Sequence, residues 1–202
     1  MSDDPLYKGG FPNPDRLGFI PLRQSSGDEP DAKEIERAAG ILGRPVRETD
    51  AEGYECEIVG AAVGGGAGSI AYVASRAKKQ GQYVDIEFRL HLRAPGGTHN
   101  SWDVQTYNPY FGCDVRFFQW IGRHAILIYR EKHRTYVCKV KAAAEPVFVK
   151  IEDDWIINGR TLAYWGWEAT QVSRLTLPDL TALDAVSEEE AKAQRLLPSK
   201  YW

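Results

Sequence analysis

Apolar and polar residues alternate along much of the chain, most strictly over residues 84–92. The apolar members of this alternation are Val84, Ile86, Phe88, Leu90 and Leu92. Successive side chains of a β-strand point to opposite faces, so this pattern predicts a strand with one buried face and one solvated face. Such strands are typical of antiparallel sheets that pack on one side only.

Shorter extended segments surround this strand. Upstream, a two-residue period at residues 54–59 and a glycine-rich turn at residues 63–69 lead into an extended segment at residues 70–74. Downstream, the pattern predicts strands at residues 115–121, 125–129, 135–140, 147–151, 155–157, 161–165 and, as the last strand, 171–177. The connections are too short for parallel crossovers, and Asn158-Gly159 is a strong hairpin signal, so the strands are predicted to form an antiparallel meander.

Two short helices frame the predicted meander. Residues 30–42 combine a proline suited to a first helical turn with apolar residues at helical spacing, and Gly43 follows as a stop. Near the C-terminus, Ser187 and Glu190 form a capping box for a helix that Pro198 ends. The first 29 residues are rich in proline and glycine and predict an arm, in which Pro21 restricts residues 19–22 to an edge strand.

The predicted fold is therefore mainly β. Residues 30–202 are expected to form a single domain, an antiparallel meander that is curled or folded into a sandwich, with a short helix before it and a short C-terminal helix. Residues 1–29 are expected to form the proline- and glycine-rich N-terminal arm.

Composition narrows the classes of protein to consider. The chain has 202 residues, is 43% hydrophobic and carries a formal net charge of -3, so it can bury a substantial core and has no overall charge suited to a polyanion. Cys56, Cys113 and Cys138 lack metal-ligand spacing, which indicates reduced thiols. No apolar run approaches the roughly 20 residues of a membrane-spanning helix, and residues 1–8 lack a secretory pattern. We therefore expect a cytoplasmic protein with no membrane partner.

One segment departs from this neutral balance. Residues 116–141 carry seven arginines and lysines against a single acid, Glu131, with aromatic residues between them. Such hairpins can bind an acidic protein partner, or they can grip the phosphates and stack the bases of single-stranded nucleic acid. The alternative is that the cations are solvated hairpin tips and the aromatics belong to the core. The residues assigned to this binding surface are Arg123, His124, Arg130, Lys132, His133 and Arg134.

Two tryptophans extend the candidate surface. Trp165 and Trp167 share one face of a predicted strand, opposite Tyr164. If that face is exposed, the tryptophans form a binding platform, because tryptophan is enriched in interface hot spots. If it is buried, they belong to the core.

A catalytic alternative rests on the histidines. His99 is predicted in a loop at residues 94–101 and has Asp103 four residues later, a pair that could act as base and orienter in a hydrolase or nuclease, joined by His124 or His133. His91 is predicted on the solvated face of its strand. The glycine run at residues 63–69 has Ser69 where a phosphate loop needs lysine, so it is predicted to be a hairpin turn. No metal or cofactor is predicted.

The sequence favours a non-catalytic interaction module over an enzyme. No nucleophile, base and orienter occur in a recognisable arrangement, whereas charge and aromatic content concentrate on the hairpins. The expected role is that of an accessory, inhibitor or immunity-type protein that binds an acidic protein partner. The alternatives are a hydrolase or nuclease that uses His99 and Asp103, and a single-stranded nucleic-acid binder that uses the basic hairpin.

Overall fold

Three large antiparallel sheets dominate the fold in the computed structural model. The structure describes residues 7–8, 11–12, 20–24, 31–64, 69–81, 83–94, 97–104, 113–131, 134–166 and 170–197. Near the N-terminus, β1 (Tyr7–Lys8) pairs with β2 (Phe11–Pro12). The next strand, β3 (Ile20–Gln24), joins the edge of the third large sheet.

Helix α1 (Ala32–Leu42) precedes the first sheet. Its N-cap, Asp31, accepts a hydrogen bond from the backbone N–H of Lys33 at 3.0 Å, and Gly43 ends the helix with a φ of 67°, a conformation that favours glycine. The first sheet is a meander whose strands pair in chain order. These strands are β4 (Arg47–Thr49), β5 (Glu55–Val63), β6 (Ile70–Gln80), β7 (Tyr83–Arg93) and β8 (His99–Asp103).

The remaining strands form two further meanders. The middle sheet consists of β9 (Asp114–Ile121), β10 (His124–Glu131), β11 (Arg134–Val140) and β12 (Val147–Ile151). The third sheet consists of β13 (Asp154–Gly159), β14 (Thr161–Trp165), β15 (Gln171–Thr176) and β16 (Ala182–Ser187), with β3 paired to β13. Helix α2 (Glu188–Ala193) follows, and Ser187 and Glu190 form its capping box.

Four apolar clusters define the order of the layers. One joins α1 to the outer face of the first sheet, and a second joins the inner face of that sheet to the middle sheet. A third joins the middle sheet to the third sheet, and a fourth covers the far face of the third sheet with Ala191 of α2. The layers therefore run from α1 through the three sheets to α2.

Strand β10 explains why the middle sheet holds this position. Ala125, Leu127 and Tyr129 pack toward the first sheet, whereas Ile126 and Ile128 pack toward the third. All five side chains are fully buried. A strand covered on both faces has no solvated side, so its sequence is a continuous apolar run and not an alternation.

The first and middle sheets approach each other closely at Gly60 of β5. A methyl group placed on Gly60 would lie 2.7 Å from a methyl carbon of Val115 in β9. Nearby, the indole N–H of Trp120 donates a hydrogen bond to the carbonyl oxygen of Ala62 at 2.9 Å. The crossing of β9 over β5 therefore requires a residue without a side chain at this position.

The structure confirms the predicted fold class, since the chain is mainly β, antiparallel and connected as meanders, with one short helix before the first sheet and one near the C-terminus. The predicted edge strand in the N-terminal arm is present as β3, at the edge beside β13. Among the described residues, no helix is long and apolar enough to cross a membrane.

Two predictions of local structure were wrong. Residues 94–101 were predicted as a loop, but β8 begins at His99 and pairs with β7. Residues 171–177 were predicted as the last strand, but β16 follows them and leads into α2. Both missed strands are sheet edges with mostly exposed or half-exposed side chains, so they lack the apolar alternation by which the other strands were found.

Candidate functional site

The outer face of the first sheet carries a row of ring side chains. Tyr72 of β6 lies directly opposite His91 of β7, and His91 lies directly opposite Ser101 of β8. His99 pairs with Arg93, two residues along from His91, so His99 is the diagonal neighbour of His91 on the same face. Helix α1 covers only the β5 and β6 side of this face, and His99 is exposed.

The two imidazoles are joined by a hydrogen bond. Nδ1 of His91 lies 3.1 Å from Nε2 of His99, and the planes of the rings differ by 18°. The ring centroids are 5.2 Å apart, so the nitrogen pair spans most of that separation and the rings meet edge to edge. One nitrogen donates and the other accepts, which requires at least one neutral imidazole.

His91 is held from its other side by Tyr72. Their ring centroids lie 4.6 Å apart with planes within 12°, a stacked arrangement, and Tyr72 itself is buried beside α1. Burial lowers the pKa of His91 to about 4, and His99, Arg89 and Arg44 add to this effect. His91 is therefore a neutral and well-oriented imidazole at physiological pH.

Charged residues surround the histidine pair. The guanidinium of Arg89 donates to the carboxylate of Asp103 at 3.1 Å, and Arg44 forms an ion pair with Glu48 at 2.9 Å. Within the part of the chain that the structure describes, Arg93 has no ion pair. The outer face is therefore weakly cationic around the histidine pair.

The structure does not bring His99 and Asp103 together. They lie on one face of β8, four residues apart, which corresponds to roughly 13 Å along an extended strand. Asp103 hydrogen bonds to Arg89 and His99 to His91, so no imidazole–carboxylate contact of the predicted kind forms. His124 belongs to the middle sheet, and His133 lies outside the described residues.

The predicted cationic surface is divided between the two ends of β10. Arg123 and His124 lie at the β9–β10 turn, whereas Arg130 and Arg134 lie beside the β10–β11 turn. The strand of eight residues separates these turns by roughly 25 Å. Lys132 and Trp167, like His133, fall outside the described residues.

At the β10–β11 end, part of the positive charge is already paired. Arg130 forms an ion pair with Asp153 at 3.3 Å, and Asp153 also accepts a hydrogen bond from the hydroxyl of Thr135 at 2.8 Å. Glu131 is 1% exposed and lies directly opposite Arg134 in the pairing of β10 with β11. This end of the sheet therefore contains acids that offset its arginines.

At the β9–β10 end, the positive charge is open to solvent. His124, Lys139 and Lys141 line a cleft of about 230 Å³ together with Ala144, Glu145 and Val147. Burial and the two lysines lower the pKa of His124, and Asp179 partly opposes them. Lys139 donates to the backbone carbonyl of Asp179 at 2.9 Å, a contact that fixes its ammonium without neutralising it. Arg123 and Lys141 are exposed.

A second, wider cleft adjoins the first. It has a volume of about 410 Å³, and Glu145 lines both clefts. Its other walls come from β7, β8 and the chain around the start of β12. The lining residues are Arg89, Ser101, Trp102, Asp103, Pro146 and Phe148. The basic cleft thus shares a wall residue with a mixed-charge cleft that is lined in part by β7 and β8 of the first sheet.

The aromatic residues between the cations belong to the core. Phe117, Tyr129 and Trp155 are buried between sheets, and Phe118, Trp120 and Tyr136 pack against the same cluster as Tyr129. Trp165 is 2% exposed and packs toward α2. The predicted platform at Trp165 is therefore part of the core, because the far face of the third sheet is covered by α2 and the residues that follow it.

No family model, curated protein or solved structure matches this chain. Within the described ranges, two groups of candidate functional side chains are accessible: the histidine pair on the first sheet and the basic cleft at one end of the middle sheet.

Sequence reasoning missed the histidine pair and the lysines of the basic cleft. One signal could have found the pair: a hairpin turn at Pro95-Gly96-Gly97 would bring residues on either side of it together, with His91 and His99 near the turn. The lysines follow from the same reasoning, since Lys139 lies near the end of β11, which pairs with the start of β10, and Lys141 comes directly after β11.

Proposed function

We propose that the protein is an interaction module that binds an acidic protein partner at the basic cleft lined by His124, Lys139 and Lys141, together with Arg123 at the adjoining β9–β10 turn. The observation that carries this proposal is the concentration of these side chains at one end of the middle sheet. Among the described residues, Arg123, Lys139 and Lys141 form no ion pair with a carboxylate.

Charge and shape both support a protein partner. The cleft gives the cations a concave setting, in which their field adds and a partner's carboxylates can approach several of them at once. The aromatic residues that would stack bases are in the core, so the surface offers charge without the stacking that single-stranded nucleic acids use. Glu145 at the rim would select against partners whose negative charge is uniform.

The proposal also extends to the role and location of the protein. A non-catalytic accessory, inhibitor or immunity-type role fits a surface with accessible charge and no imidazole–carboxylate pair among the described residues. A cytoplasmic location fits the free thiols, of which Cys113 and Cys138 are buried.

The test is a charge reversal at the cleft. In the variant Arg123→Glu with Lys141→Glu, both changed residues are exposed, so the fold should persist. Binding of a fluorescent polyglutamate peptide, measured by anisotropy at low salt, should weaken roughly tenfold or more, because two attractive charges become repulsive. The wild-type affinity should also fall as salt rises.

The matched control is Lys79→Glu with Lys150→Glu. It changes the net charge by the same amount at exposed positions on β6 and β12 that lie outside the cleft. This control should lose much less affinity than the cleft variant. Equal losses in the two variants, or tighter binding of an oligothymidylate of similar charge, would contradict the proposed site and partner class.

A further inference from the structure

The histidine pair offers two nitrogen atoms to a single point in space. Nδ1 of His91 and Nε2 of His99 face each other at 3.1 Å. Two imidazole nitrogens bound tetrahedrally to one zinc ion, at about 2.1 Å each, lie roughly 3.4 Å apart. To become two ligands of one ion, the nitrogens would separate by a few tenths of an ångström, and the rings would turn so that both lone pairs point at the ion and no longer at each other.

We propose that His91 and His99 form a binding site for a divalent transition-metal ion, with zinc as the probe ion. The ion would replace the proton shared between the two nitrogens. It would lie on the outer face of the first sheet, where the exposed side of His99 gives it access from solvent. This site is distinct from the basic cleft and does not depend on the proposed partner.

The surroundings prepare one ligand and leave the other adjustable. His91 is fixed by its stacking on the buried ring of Tyr72, so little side-chain entropy is lost when it binds an ion. His99 is exposed on an edge strand and can rotate to complete the geometry.

The ligand set determines the class of ion. Imidazole nitrogens suit zinc, copper and nickel, whereas magnesium and calcium prefer oxygen ligands. Within the described part of the chain, no group of three or more histidine, cysteine, aspartate or glutamate side chains could hold a metal. The ion would therefore keep open positions for water or an external ligand, as ions in non-structural sites do.

Neighbouring charges set the expected strength. Arg89 and Arg44 are neutralised by Asp103 and Glu48, respectively, whereas Arg93 is the cross-strand partner of His99 and adds a positive charge. Two ligands beside a cation favour micromolar binding and not the tighter binding of a four-ligand structural site. An anionic external ligand would be favoured in the open positions, because Arg93 lies beside them.

The experiment is isothermal titration of the metal-free, untagged chain with zinc chloride. The wild-type protein should bind one zinc ion, and excess magnesium should not displace it. His99→Ala changes an exposed side chain and should leave the fold intact while weakening zinc binding about tenfold or more. His91→Gln, whose fold is checked by circular dichroism, should have the same effect.

Two control variants separate this site from other possible ligands. His124→Ala removes a histidine of the middle sheet, and Cys56→Ser removes the half-buried thiol. Both should bind zinc like the wild type. The inference is overturned if the wild type binds no zinc at millimolar concentration, if His99→Ala keeps wild-type affinity, or if either control loses binding to the same extent.

Discussion

Replacing Trp155 by alanine is expected to lower the free energy of unfolding by about 3–5 kcal/mol. Trp155 is 1% exposed and lies in the cluster between the middle and third sheets. Its ring meets Phe117 of β9 edge to face, with centroids 6.4 Å apart and planes at 70°. Removing the indole ring leaves a cavity that the two sheets cannot fully close. The free-energy cost of the cavity therefore adds to the hydrophobic stabilisation that is lost with the ring.

Urea denaturation followed by circular dichroism measures this loss, and Trp102→Ala is the matched control. Trp102 is a half-buried tryptophan on the edge strand β8, where solvent can occupy the vacated space. Its replacement should cost clearly less than that of Trp155. A larger loss at Trp102 would contradict the packing of the middle sheet against the third.

Replacing Gly60 by alanine is expected to cost about 2–3 kcal/mol, although only one methyl group is added. The new methyl carbon would lie 2.7 Å from one methyl group of Val115 and 3.0 Å from the other. Gly60 lies in β5, which is paired with β6, and Val115 lies in β9, which is paired with β10. Relief of the clash therefore requires the first and middle sheets to move apart. Thermal and urea denaturation both measure the effect.

A double-mutant cycle identifies its cause. Val115→Ala alone should destabilise the protein, because Val115 is 2% exposed and belongs to the core between the first and middle sheets. Combined with Gly60→Ala, it removes the clash, so the double variant should be more stable than the sum of the two single losses predicts. Strictly additive losses would show that the two residues do not meet at the crossing.

Most of the strands could be predicted because burial on one or both faces leaves a pattern in the sequence. The apolar residues of β7 from Ile86 to Leu92 alternate because that face packs inward, whereas Val84 at the start of the strand is 44% exposed. Residues 125–129 are continuously apolar because β10 is covered on both faces. The edge strands β4, β8 and β16 could not be predicted in this way. Their side chains are mostly exposed or half-buried, so they lack the apolar alternation of a buried strand. Their hydrogen bonds to neighbouring strands depend on tertiary contacts that a local pattern does not contain.

The candidate sites were harder to predict because they depend on register. His99 was paired with Asp103 by sequence distance, but an extended strand separates them and a hairpin brings His91 to His99 instead. The basic segment was treated as one surface, but β10 places its two turns at opposite ends of a sheet. Which cations are neutralised also depends on residues far along the chain, such as Asp153 beside Arg130.

Both sites depend on the position of the middle sheet between the other two, and native-state hydrogen exchange tests that position most directly. The amides of Ile126, Leu127 and Ile128 lie in a strand that is paired on both sides and buried on both faces. They should exchange only through global unfolding, and more slowly than the amides of the edge strands β8 and β16. Exchange in β10 as fast as in β8 would contradict the layered fold and the placement of both sites.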